Sequence, residues 1–143
     1  MCIRDRCVIT SNVVRGSAGS GIRLSRGAYM IVSNNVISES GQDGISLLTV
    51  DDSQVRGNSI SRSSLESVHG HDDIEVGAGT HRNLVTLNQC RFGGLARASI
   101  RVDATSVETL VAQNSLLGGA GFQNASATTA ASWDGSAASW NRE

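Results

Sequence analysis

Between Ile9 and Leu116 one arrangement of apolar and polar positions occurs five times. A β-branched residue (Ile9, Val32, Val55, Val85, Val111) stands three positions before an asparagine (Asn12, Asn35, Asn58, Asn88, Asn114). Two positions after each asparagine comes a second apolar residue: Val14, Ile37, Ile60, Cys90 and Leu116. Farther on, an apolar-polar-apolar triplet recurs at Ile22/Leu24, Ile45/Leu47, Ile74/Val76 and Ile100/Val102, and more weakly at Phe122/Asn124. The intervals 12 to 35, 35 to 58, 58 to 88 and 88 to 114 are 23, 23, 30 and 26 residues. Recurrence at this length, with several positions agreeing in each copy, predicts a solenoid of stacked repeats.

The period inside each repeat says which solenoid. The triplets alternate, as a strand with one buried face does. The apolar positions on either side of each asparagine are an odd number of residues apart, so a flat strand would send them to opposite faces. Both turn inward only if the chain bends at the asparagine, and asparagine tolerates the left-handed conformation that such a bend uses. Each repeat is therefore expected to hold three short strands, with coils ~4.8 Å apart and the asparagines superposed. On this reading Asn35→Ala costs ~1–2 kcal/mol. A leucine-rich repeat shares the core spacing. Its convex side needs helical or extended segments, however, and those positions hold the turn formers Ser38–Asp43 and Thr49–Ser53. A left-handed β-helix has a six-residue period, which does not produce 23.

The pattern resembles the right-handed parallel β-helix of the pectate lyase-like superfamily, in its generic repeat form, from Val8 to about Asn124. The resemblance implies an all-β solenoid of about five coils and three parallel sheets. It also implies an extracellular or cell- or virion-surface protein that interacts with polysaccharide.

Composition agrees with one such domain: 143 residues, 16 glycines and no proline. A net charge of −1 gives no general attraction to nucleic acid or to an anionic membrane. No segment is long and apolar enough to span a bilayer. All basic residues are arginine, which we read as codon bias. Met1–Arg6 fits no coil position and resembles a translated sequencing adapter, as at the edge of a metagenomic fragment. The expected division is lead-in 1–6, solenoid 7–125 and an Ala/Ser-rich tail 126–143, with Asn141 as the asparagine of a partial sixth coil. No amphipathic capping helix is evident, so the coil ends are expected to self-associate, which sedimentation would reveal. Cys2, Cys7 and Cys90 match neither a zinc site nor a disulfide framework, and Cys90 is expected in the core.

Candidate chemistry gathers on one face. The middle residues of the triplets, Arg23, Ser46, Glu75 and Arg101, are expected to face outward in line, with Asp73 and Asp103 at flanking positions of the same parity. The longest loop, Ser63–Asp72, brings His69, His71 and Asp72 to that side. In the superfamily resembled, this strand face forms the saccharide cleft. A lyase there would use an arginine base beside carboxylate-held Ca²⁺, which Asp73, Glu75, Asp103 and Arg101 would supply; no other cofactor is required. A hydrolase would use two carboxyls, with Asp43, Asp72 and Asp73 as candidates; an epimerase is a third form of processing. The expected catalytic set is Asp73, Glu75 and Arg101, and the expected substrate-binding set is Arg23, Ser46, His69, His71, Asp72 and Asp103. The ligands of any metal stay open. Asp72-Asp73-Ile74 faintly resembles the paired-aspartate coil of polygalacturonases, but the Gly-His-Gly and Arg-Ile-Lys segments are missing and that activity is not carried over. An adhesive or purely structural β-helix stands beside these readings. An exposed Glu–Arg pair is usually worth a fraction of a kcal/mol, and the coils hold few aromatic platforms.

Overall fold

The computed structural model of the protein describes residues 6–91, 95–117, 121–128 and 130–132. The lead-in 1–5, Phe92, Trp133, Trp140 and Asn141 fall outside them. The chain winds through five coils of three short strands, and like strands of successive coils pair in parallel. The first sheet takes Val8–Thr10, Ile31–Ser33, Gln54–Arg56, Leu84–Thr86, Leu110–Ala112 and Ala130–Ser132. The second takes Val13–Arg15, Val36–Ser38, Ser59–Ser61, Gln89–Arg91 and Ser115–Leu117. Ile22–Ala28, Ile45–Asp51, Ile74–Val76, Ile100–Val102 and Phe122–Asn124 form the third. Among the described residues no helix is long and apolar enough to cross a membrane.

The core follows from the repeat. Val32, Val55 and Val85 line the first sheet, Ile37, Ile60 and Cys90 the second, and Ile45, Leu47, Ile74, Val76, Ile100 and Val102 the third, all buried. Burial also pushes the Cys90 thiol well above its ordinary pKa, so it acts as a small hydrophobe.

The five asparagines stack as expected. Each Nδ2 donates to the Oδ1 of the next: Asn12 to Asn35 at 3.1 Å, Asn35 to Asn58 at 2.9 Å, Asn58 to Asn88 at 2.9 Å and Asn88 to Asn114 at 3.0 Å. The backbone N–H of each lower asparagine donates to the same oxygen. Each Nδ2 from Asn35 upward also donates to the carbonyl of the β-branched residue one coil below.

One detail differs from expectation. The left-handed residue is the one before the asparagine: Ser11, Asn34, Gly57, Leu87 and Gln113, with φ of 57°, 56°, 64°, 57° and 54°. Bending the chain one residue early leaves the asparagine side chain aimed into the corner, where its amide finds both neighbouring coils. A second, shorter ladder stands at the corner between the third and first sheets, behind left-handed Tyr29, Asp52 and Arg82. There Met30 N–H donates to Ser53 Oγ at 2.9 Å and Ser53 N–H to Asn83 Oδ1 at 3.0 Å.

The long loop of the third coil does not stand free of the stack. Ser64, Leu65 and Glu66 donate their N–H groups to Gln42, Ser40 and Gly41 of the coil below, and His69 N–H reaches Leu95 of the coil above. At the chain ends, Arg6 N–H already pairs with the Ala28 carbonyl at 3.0 Å. Ala130–Ser132 continues the first sheet with Ala131 beside Val111. That register starts a sixth turn 20 residues on, from 111 to 131.

Candidate functional site

The outward column of the third sheet forms as the triplets require. Arg23 pairs with Ser46, Ser46 with Glu75 and Glu75 with Arg101 on successive strands. A second column comes from the segment leading into each triplet, because Gly21 N–H bonds Asp43 O, Gly44 N–H bonds Asp72 O and Arg97 N–H bonds His71 O. Between the two columns runs a cleft of about 320 Å³, lined by Arg23, Ser46, Glu75 and Arg101 on one side and by Ser20, Gln42, Asp43, Gly70, His71 and Arg97 on the other.

Glu75 sits near its centre. It accepts from Ser46 Oγ at 3.1 Å and from Arg101 Nη1 at 3.2 Å. Partial burial and the neighbouring Asp43 charge raise its pKa in spite of Arg101. Arg101 lies between two carboxylates, with Asp103 Oδ2 3.6 Å from Nη2. Asp103 accepts from the N–H and hydroxyl of Thr105, which hold its pKa low. The guanidinium thus takes the place a cation would have between Glu75 and Asp103. Among the described residues no three His, Cys, Asp or Glu side chains converge as metal ligands.

Asp43 forms the floor. It is 5% exposed, accepts from Asp72 N–H at 2.9 Å and lies 3.8 Å from His71 Nδ1. Burial raises its pKa, against the pull of that backbone bond. The cleft therefore holds two carboxyls, Asp43 and Glu75, with an enhanced hold on a proton beside Arg97, Arg101 and Arg23. Such an arrangement can bind anionic or hydroxyl-rich groups and can donate a proton.

Of the residues expected here, Arg23, Ser46, His71, Glu75 and Arg101 line the cleft. The other four lie elsewhere. His69 is on the exposed stretch of the loop, its Nδ1 3.3 Å from the Ala96 carbonyl. Asp103 flanks Arg101 from outside the cleft. Asp72 is fully buried, its carboxylate bound by Arg97 at 3.1 and 2.6 Å and by Ala98 N–H at 3.1 Å. It orients Arg97 and, through its own N–H, Asp43.

Asp73 departs furthest from its expected outward position: it points into the core and is 2% exposed. The cause can be read one coil below. A Cβ on Gly44, the equivalent residue, would meet the Ile60 methyl at 2.4 Å and Ser63 Oγ at 3.0 Å, both interior groups. The chain bends before the triplet, so this position and the next both face inward. Burial, reinforced by the Asp72 charge, lifts Asp73 to about 7; the Ser63 hydroxyl beside it makes no well-formed hydrogen bond.

Arg97 is one of the lining residues that sequence reasoning did not place in the site, with Ser20, Gln42 and Gly70. Its signal is positional: counted back from each triplet, Gln42, His71 and Arg97 share a column three residues before Ile45, Ile74 and Ile100.

Comparison with known proteins agrees with this architecture. The model of a family described as right handed beta helix region matches residues 2–137. Among solved structures, the A-module of the Azotobacter vinelandii mannuronan C-5 epimerase AlgE6 superposes with a TM-score of 0.75 at 13% identity, over 90% of this chain and 37% of that one. The AlgE4 A-module from the same organism gives 0.71 at 15% identity, over 88% and 45%. The chain thus spans less than half the length of either. No curated protein sequence matches it.

Proposed function

The chain belongs to the right-handed β-helix family, and from that premise we propose that it binds an acidic polysaccharide along the outward face of the third sheet. The observation that carries the reading is the cleft itself, where Arg23, Arg97 and Arg101 line one groove with Ser46, Gln42 and His71. Guanidinium groups recognise carboxylates through charge-assisted bonds, and hydroxyl, amide and imidazole groups suit sugar hydroxyls. The solved structures it resembles are named as mannuronan epimerases, which supports a carbohydrate role for a groove on this fold. On this reading the chain acts outside the cell or on a surface, where such polysaccharides are met. Asp43 and Glu75 would supply the proton-holding groups for any processing step.

Affinity electrophoresis at mildly acidic pH, in gels containing acidic heteropolysaccharides or neutral glucans, tests this. Retention is expected in the acidic gels alone and should weaken with added salt. Arg101→Ala should weaken it on the order of tenfold, the loss of one charge-assisted contact. Assays of reducing ends and unsaturated products on the same glycans separate binding from turnover. No retention in any acidic gel would leave this face as structural β-helix surface.

A further inference from the structure

The cleft carries an order of charges along the solenoid axis. Coil one offers the Arg23 guanidinium and coil two the Ser46 hydroxyl beside Gln42. Coil three offers the Glu75 carboxylate beside His71, and coil four offers two guanidinia, Arg97 and Arg101. Coils rise by ~4.8 Å, so the backbone positions of Arg23 and Arg101 stand roughly 14 Å apart. An extended 1,4-linked pyranose chain advances by nearly one coil spacing per ring, so one ring falls opposite each coil.

We infer that the cleft selects a glycan stretch four rings long whose carboxylates lie on the two outer rings, with neutral rings between, in preference to a homopolyuronate. This rests on the acidic-polysaccharide reading above and specifies its ligand. At coil four, Arg97 is fixed by Asp72 and Arg101 by Glu75 and Asp103, and each guanidinium keeps further N–H donors for a ligand carboxylate. At coil one, Arg23 has no hydrogen-bond or ion-pair partner among the described residues, so its charge faces the groove unopposed.

The middle rings meet different chemistry. Ser46 and Arg101 hold Glu75 from both sides, which keeps its carboxylate facing a ring seated at coil three. A uronate there would set like charges together over buried Asp43, whereas a hydroxyl would donate to Glu75. At coil two, the Gln42 amide is engaged by Glu66 at 3.3 Å, which leaves its carbonyl and the Ser46 oxygen as neutral partners.

Calorimetric titration above neutral pH with three tetrasaccharides decides the matter: uronate–hexose–hexose–uronate, a tetrauronate and a neutral tetraglucoside. The spaced ligand should bind on the order of tenfold more tightly than the tetrauronate. Glu75→Gln should close that gap by admitting the tetrauronate. Arg23→Ala, at an exposed position with no fold contact to lose, should weaken the spaced tetrasaccharide and leave a uronate–hexose disaccharide unaffected. This variant carries the test if melting curves show Glu75→Gln to be unfolded. Equal binding of tetrauronate and spaced ligand by the wild type would overturn the charge order and leave the acidic-glycan reading standing. Binding of neither acidic ligand, or equal binding of the neutral one, would overturn both.

Discussion

Asn58→Ala is expected to destabilise the solenoid by roughly 3–5 kcal/mol. Asn58 is 1% exposed, and its side chain takes part in four hydrogen bonds. Its Oδ1 accepts from the N–H and Nδ2 of Asn35, while its Nδ2 donates to Val32 O and Asn88 Oδ1. Alanine leaves partners on two neighbouring coils unsatisfied and away from water, and each costs about 1–3 kcal/mol before relaxation. The figure of ~1–2 kcal/mol reached for Asn35 from sequence counted one stacked amide and one turn. Asn35 makes the same four contacts, so its replacement belongs in the larger range too. Urea unfolding of Asn58→Ala beside Ser59→Ala, a half-buried strand neighbour outside the ladder, would measure the difference. Equal midpoints would mean that the ladder adds no stability beyond ordinary strand pairing.

Asp73→Asn should stabilise the protein above neutral pH, by roughly 2–4 kcal/mol. The folded-state pKa of about 7 lies well above the value of an unfolded aspartate. Below the unfolded pKa both states are protonated and Asp73 takes no stability away. As pH rises from there to about 7, the unfolded chain releases the proton first, so stability falls with pH and the full penalty is present above the folded pKa. Asp43 and Glu75, also raised, add slope of the same sign. Thermal melts between about pH 4 and 8 should therefore decline for the wild type and flatten, without becoming level, for Asp73→Asn. Parallel declines in the two proteins would show that the Asp73 carboxyl is solvated in the folded state.

These two residues mark how far sequence carried the argument. Asn58 could be placed because its column repeats one residue type at one offset, and only a stacked turn reconciles that offset with inward side chains on both flanks. Glu75 and Arg101 could be paired for the same reason, since parity counting works inside a strand. Counting failed for Asp73 because the bend falls between it and Ile74, and alternation ends where the strand does. Asp72 looked like a surface ligand because charge suggests solvent; its burial becomes intelligible only with Arg97, which reaches it from the next coil's loop. The second ladder escaped notice because its column changes residue type at each step, from Met30 to Ser53 to Asn83.

The amide ladder has a direction: oxygens receive from the coil before, and nitrogens give to the coil after. It works like a zipper with identical teeth, indifferent to how much cloth hangs between them. The interval from Asn35 to Asn58 is 23 residues and the next is 30, yet the amide spacing is 2.9 Å in both. Loop length is thereby uncoupled from axial register. Lineages of such proteins can lengthen, shorten or exchange the loop that walls the cleft while the strands beneath keep their alignment. Growth of the rod itself comes in whole turns, because any other increment leaves a tooth without its mate.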